Sequence, residues 1–136
     1  MRILALDVGE KNIGLALSDP LGLTAQALPT LIRRDQAQDL KEISSLIKKN
    51  DVGEVVVGLP LNLDGSEGKN AQRIKLFVEE LKKETAVLLK LWDERLTTMQ
   101  AQRIMLVADI SRKKRKAKID QLAAQLILQS YLDAKG

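Results

Sequence analysis

The sequence predicts an α/β fold: a mixed five-stranded sheet that opens with antiparallel strands, continues with parallel ones and carries helices on both faces. Three observations predict it. The opening run Ile3-Leu4-Ala5-Leu6-Asp7-Val8 is apolar almost throughout, as in a strand buried on both faces. A second run, Ile13 to Ser18, follows after only Gly9-Glu10-Lys11-Asn12, a turn-rich tetrapeptide suited to a hairpin. Further along, short apolar runs alternate with stretches whose apolar residues recur at helical spacing, the pattern of strands joined by crossover helices. A chain of 136 residues, 45% of them hydrophobic, can bury one substantial core, so residues 1–136 are read as a single domain.

Residues 2–8 and 13–18 are the first two strands, antiparallel neighbours. After the turn Asp19-Pro20-Leu21-Gly22, residues 24–33 give a third, and Pro29, which has no amide hydrogen to donate, places that strand at an edge or a bulge. Asp35 caps a helix running to about residue 49, whose Leu40, Ile43, Leu46 and Ile47 keep helical spacing. Residues 54–60 read as a short buried strand, followed by a loop over 61–68 with Asp64-Gly65 and Gly68. A helix over about 70–83 gathers Ile74, Phe77, Val78 and Leu81 on one face. Residues 87–92 form the fifth strand, and Thr97 with Gln100 makes a capping box for a helix to about residue 107. The final helix, about 117–132, follows the basic segment Arg112-Lys113-Lys114-Arg115-Lys116-Ala117-Lys118.

Composition excludes several chemistries. There is no cysteine, which removes disulfides, thiolate nucleophiles and Cys-ligated zinc. There is no histidine, which removes Ser-His-Asp and Cys-His catalysis, His-ligated zinc and an imidazole base. What remains is carboxylates, lysine, tyrosine, hydroxyls and metal-bound water. No apolar run approaches the ~20 residues of a membrane span, and the N-terminus does not read as a signal peptide, so no membrane partner and a cytoplasmic location are expected.

Against that background Asp7 stands out. A lone ionised carboxylate in such an apolar run costs several kcal/mol unless positive charge meets it. Its structural alternative is to cap the Gly9 turn, but Gly9 and Gly14 around a strand-end carboxylate also let a bulky anionic backbone approach. Asp93 and Glu94 follow the fifth strand, and only one of them can face the side that Asp7 occupies. Glu94, with its longer arm, is favoured; Asp93 stays a candidate, directly or through bonding to a ligand. Asp120 is followed at three, four, seven and eleven residues by Ala123, Ala124, Ile127 and Tyr131, so it lies on the inward face or shoulder of the last helix, where two alanines permit close approach. Its structural alternative is a first-turn residue favoured by the helix dipole. Three converging carboxylates point to a divalent-metal site.

The run from Arg112 to Lys118 leads into the helix bearing Asp120, so a polyanion held by Arg112, Lys113, Lys114, Arg115, Lys116 and Lys118 would be delivered to those carboxylates. Its bland reading is a solvated loop. Lys11 and Arg95 are further phosphate-binding candidates from loops. With one Phe, one Trp and one Tyr there is no base-stacking platform, so recognition is expected through backbone and shape.

Four motifs in order, Asp7-Val-Gly9-Glu-Lys11-Asn-Ile-Gly14 through Ser18-Asp19, Val57-Gly58-Leu59-Pro60 with Asp64-Gly65-Ser66, Asp93-Glu94-Arg95-Leu96-Thr97, and the basic run into Ile119-Asp120-x-x-Ala123-Ala124, resemble the YqgF (RuvX) family over nearly the whole chain. That family has an RNase H-like fold related to the RuvC Holliday-junction resolvase. The resemblance implies a cytoplasmic nuclease that matures the 5′ end of the small-subunit (16S) ribosomal RNA precursor, with an acidic site of Asp7, Glu94 and Asp120. The implied chemistry is phosphodiester hydrolysis assisted by Mg²⁺ or Mn²⁺, ions suited to hard oxygen ligands, with Asp7 as the shared ligand. Asn12 departs from the family, which commonly carries Arg after the lysine at this turn. The partner is then nucleic acid, precursor ribosomal RNA or branched DNA, and the protein a monomer or homodimer. Two alternatives stay open: a resolvase of four-way DNA, and a non-catalytic nucleic-acid or ribosome-assembly adaptor. The Asp7-x-Gly9-x4-Gly14 pattern also occurs in actin-like ATPases, but these need a second lobe for which 136 residues leave no room.

Overall fold

The structure is a computed structural model that describes residues 1–93 and 112–135, with side chains to residue 93 and from 121 to 135. Strands β1 (Arg2–Val8), β2 (Asn12–Ser18), β3 (Ala25–Ile32), β4 (Val52–Leu59) and β5 (Leu88–Asp93) form one sheet in the order β3-β2-β1-β4-β5. β1 pairs antiparallel with β2 and β2 with β3; β1 with β4 and β4 with β5 are parallel. Helices α1 (Gln36–Lys49) and α2 (Lys69–Lys82) cover one face, and α3 (Arg112–Lys135) crosses the other.

Local chemistry explains most of these elements. The β1–β2 turn is closed by the Gly9 amide donating to the Asn12 carbonyl at 2.9 Å, and a Cβ on Gly9 would lie 2.9 Å from that same oxygen, so only glycine fits without a shift. Asp19, at the end of the first motif, organises the next turn: its carboxylate accepts from the backbone amides of Thr24 (2.8 Å), Leu23 (2.7 Å) and Leu21 (3.2 Å). Those bonds, Thr24's above all, hold it below the usual aspartate range. Pro29 sits on the edge strand β3, where the register gains a residue between the Leu28–Leu15 and Leu31–Ile13 pairs; both expected placements, edge and bulge, hold at once. Asp35 caps α1 by accepting from the Gln38 amide at 2.9 Å.

Strand alternation sorts the core into two layers. Leu4, Leu6 and Val8 pack with α1 and α2, joined by Ile43, Ile74, Phe77 and Leu81. Ile3 and Ala5 face the other way, where Ala16, Ala25 and Val56 meet Ala124, Ile127, Leu128, Tyr131 and Leu132 of α3. Small residues on both sides of this second layer let the helix lie close to the sheet.

One departure concerns the last helix, which is helical from Arg112, more than a turn before the expected start near residue 117. The basic run is thus part of the helix rather than a segment before it. Lysine and arginine are good helix formers, and no glycine or proline interrupts residues 112–135. The helix expected over 97–107 lies outside the described residues.

The far end of α3 is anchored by a buried carboxylate. Glu54 of β4, 9% exposed, accepts from the Tyr131 hydroxyl and, at 3.1 Å, from the Lys135 ammonium, with Lys90 at 3.6 Å. Tyr131 meets Trp92 edge to face at 5.3 Å, and Trp92 donates to Ser130 at 3.2 Å. Burial pushes the Glu54 carboxyl up, but the Tyr131 and Lys135 hydrogen bonds and the two lysine charges outweigh it and hold the group below the ordinary glutamate value. A carboxyl lowered by folding stabilises above its unfolded pKa, and that stabilisation drains away as the pH falls through the folded value. Urea unfolding of the protein and of Glu54→Gln from about pH 6 to about pH 3 is expected to show the parent's advantage shrinking on acidification. A constant difference across that range would remove Glu54 from the acid sensitivity of the fold.

Candidate active site

β1, β4 and β5 run in the same direction and end side by side at Val8, Leu59 and Asp93, so the loops that follow them share one edge of the sheet. In open α/β sheets this carboxyl edge is where ligands bind. Asp7, one residue from the end of β1, is half-buried, and its parity with Ile3 and Ala5 places it on the face covered by α3.

The row across the sheet at that level is distinctive. Gly14 of β2 is the direct partner of Asp7. On the other side Leu6 pairs with Val57 and Val57 with Leu91, so one step further along Asp7 is level with Gly58, which is paired with Trp92. A carboxylate in the middle of a sheet is therefore flanked by glycine on both neighbouring strands. No neighbouring side chain of that row stands beside it until Trp92, two strands away.

Position 120 belongs to the same face. Ala123, Ala124, Ile127 and Tyr131 are each no more than 4% exposed, as the spacing predicts, and position 120 continues their stripe one turn toward the start of α3. Lys113 and Lys116, seven and four residues before it, fall on that stripe too, so the helical form of the basic run aligns cationic positions with Asp120. The side chains of Arg112 to Lys118 and of Asp120 lie outside the described residues, as do Glu94 and Arg95 altogether. Asp93 is exposed and takes the parity of Leu89 and Leu91, which line a shallow depression with Val78 and Lys82 of α2. That is the face away from Asp7. Lys11 is exposed at the tip of the β1–β2 turn, next to the carboxyl edge.

Among the described residues no three acidic side chains come together; of the three carboxylates singled out from sequence, the side chain of Asp7 alone is described. The carboxylates that the sequence offers as candidate donors, Asp7, Glu94 and Asp120, supply oxygen alone, in a chain without histidine or cysteine, and such a set suits a hard divalent cation such as Mg²⁺ or Mn²⁺. Two described side chains, Asp39 and Arg33, were not read from the sequence as connected to this edge. Asp39 is 1% exposed at the start of α1, and its signal was its spacing, four residues before Ile43 and seven before Leu46, the argument that singled out Asp120.

The sheet order, the opening hairpin, the carboxyl-edge aspartate and the long helix across one face define an RNase H-like domain. T. thermophilus RuvC in complex with a Holliday junction substrate shares this fold, with a TM-score of 0.62 at 14% sequence identity, over 99% of this chain and 96% of that one. At the level of family, the sequence matches "RuvX: Holliday junction resolvase" over residues 1–134, and the chain belongs to this family. It is 50% identical over 134 residues to a Clostridium acetobutylicum protein named "Putative pre-16S rRNA nuclease", covering 98% of this chain and 99% of that protein. It is 51% identical over 136 residues to a Moorella thermoacetica protein of the same name, covering 100% and 97%.

Proposed function

We propose that the chain is a metal-dependent nuclease, a single cytoplasmic domain spanning residues 1–136, that hydrolyses phosphodiester bonds in 5′-end maturation of the 16S ribosomal RNA precursor. The observation that carries this reading is Asp7, held between Gly14 and Gly58 at the carboxyl edge on the face of α3. The names of relatives half identical to it over almost their full length support the substrate. Among the described residues no helix is long and apolar enough to cross a membrane.

Asp7, Glu94 and Asp120 hold the cation, Mg²⁺ or Mn²⁺. The parity of β5 supports Glu94, next in the chain after Asp93, as the ligand on the Asp7 side; Asp93 acts by hydrogen bonding to its neighbours. When bound, the cation supplies charge neutralisation at the scissile phosphate and lowers the pKa of the attacking water. β1 fixes the Asp7 carboxylate from a rigid strand, and the flanking glycines admit the sugar-phosphate backbone to it. With no imidazole in the chain, the proton released by the attacking water goes to a carboxylate or to solvent. Lys11, Arg95, Arg112, Lys113, Lys114, Arg115, Lys116 and Lys118 bind phosphates and set position without reading bases.

A second reading, resolution of four-way DNA, is favoured by the description of the family. It calls for two sites and hence a homodimer, whereas one RNA cut needs a single site and a monomer suffices. Titrating Mn²⁺ against labelled precursor RNA and labelled four-way junctions tests both. Metal-dependent cutting of the RNA is expected; cutting of the junction alone supports the resolvase, and cutting of neither supports an adaptor and ends the nuclease reading. Replacing Lys113, Lys114, Arg115 and Lys116 together by Gln is expected to weaken binding to unrelated sequences alike. It should also flatten the dependence of log affinity on log salt by about 0.7–0.9 for each phosphate that is no longer neutralised. An unchanged slope would return the run to solvent.

A further inference from the structure

We infer that Arg33, at the end of β3, is a positioning residue for the Asp7 site, a conclusion that rests on the reading of Asp7 given above. It clamps the Gly9–Lys11 turn twice. Its backbone amide donates to the Lys11 carbonyl at 2.9 Å, and its guanidinium Nη1 donates to the Gly9 carbonyl at 3.0 Å. With the Gly9 amide already bonded to the Asn12 carbonyl, three of the turn's backbone groups are fixed. The turn begins two residues after Asp7, so its position sets where the end of β1 holds the carboxylate and where Lys11 stands relative to it.

The clamp is held in place by its own contacts. The Arg33 side chain is 16% exposed, its Nε donates to the Asp39 carboxylate at 3.2 Å, and its guanidinium lies 5.5 Å from the centre of the buried Phe77 ring of α2. Asp39, almost wholly inaccessible, spends its other oxygen on the Arg34 amide at 3.1 Å. The planar guanidinium is needed because one group must bond a carboxylate and a backbone carbonyl in different directions while lying on an aromatic ring; the single nitrogen of lysine has no such fork. A partly buried cation on one side of the sheet thereby controls a turn that serves the other side. Asp39 aims Arg33, Arg33 holds the turn, and the turn carries the end of the strand that bears Asp7.

Misplacing a reacting group by about 1 Å costs on the order of a hundredfold in rate, so loosening this turn should act on turnover before it acts on binding. The test uses Arg33→Met, which keeps the stem against Phe77, Arg33→Lys, which keeps the charge, and Arg33→Met/Asp39→Asn, which leaves no unpaired buried carboxylate. Two measurements are made on each folded variant: amide hydrogen exchange, and cleavage kinetics on the substrate that the parent protein cuts. The expected result is exchange at Gly9 faster by roughly tenfold or more with Leu4 and Leu6 still protected. With it, kcat should fall about tenfold or more while KM stays within about threefold, with the double variant no worse than Arg33→Met and Arg33→Lys not restoring the rate. Faster exchange with kcat unchanged overturns the inference, as does uniform deprotection of β1, which is the mark of a merely structural residue. Unaltered exchange at Gly9 overturns it whatever the rates. Failure of the parent protein to cut either substrate sinks the nuclease reading instead, and exchange alone then decides whether Arg33 holds the turn.

Discussion

Asp7→Asn is expected to reduce cleavage by about a hundredfold or more at saturating Mn²⁺ while leaving the fold and nucleic-acid binding close to those of the parent. Asparagine keeps the shape of the side chain and one acceptor oxygen, so the half-buried position loses no volume. What it loses is the negative charge that a hard cation requires. If Glu94 and Asp120 approach Asp7 as proposed, the substitution also relieves repulsion among like charges in the metal-free protein, and its melting temperature should be equal to or above the parent's. Rates, binding and melting measured together make the result specific: lost cleavage in a protein that melts no lower and still binds identifies a ligand. Full cleavage by Asp7→Asn would remove this edge of the sheet from the chemistry.

Ile127→Ala is the largest stability change expected. Ile127 of α3 is wholly buried in the second layer, in one cluster with Ile3, Ala5, Ala16 and Val56 of the sheet, and the two alanines among these leave the sheet little with which to fill the space. Removing a buried Ile to Ala costs about 2–5 kcal/mol, a large part of the ~5–15 kcal/mol that holds a domain of this kind together. Leu76→Ala, at a position 68% exposed on α2, should change stability by less than about 0.5 kcal/mol and serves as the control. Urea midpoints at constant slope would measure both; equal shifts for the two would mean that α3 does not hold the second layer of the core.

Much of this architecture was legible because it is local. The hairpin follows from two apolar runs separated by Gly9-Glu10-Lys11-Asn12, α1 and α2 from their apolar spacing, and the edge position of β3 from a single proline. The early start of α3 was not legible, because residues 112–118 carry no apolar stripe and charge alone does not distinguish a helix from a solvated segment. The inward stripe of α3 came directly from periodicity, whereas the face that Asp7 takes is given by the sorting of β1 between the two layers. Bonds that join distant segments did not: Arg33 reaching Gly9, or Tyr131 meeting Glu54 across 77 residues, depend on how whole elements pack. Glu54 nonetheless left a trace, a lone acid within Val52-Gly53-Glu54-Val55-Val56-Val57. Glu94, Arg95 and the side chains from Arg112 to Asp120 lie outside the described residues, so the candidate site rests on Asp7 and the backbone of α3.

The placement of Ile127 and its neighbours so late in the sequence matters while the polypeptide is being made. A ribosome adds residues from the N-terminus at about 5–20 per second, and α1 and α2 can cover their side of the sheet as soon as β1 to β5 have emerged. Among the described residues, those that pack on the opposite side, against Ile3, Ala5, Ala16, Ala25 and Val56, lie at 124–132 and are made after all five strands. A nascent chain stalled before that point lacks the α3 contacts on a greasy flank of the kind that chaperones and proteases recognise.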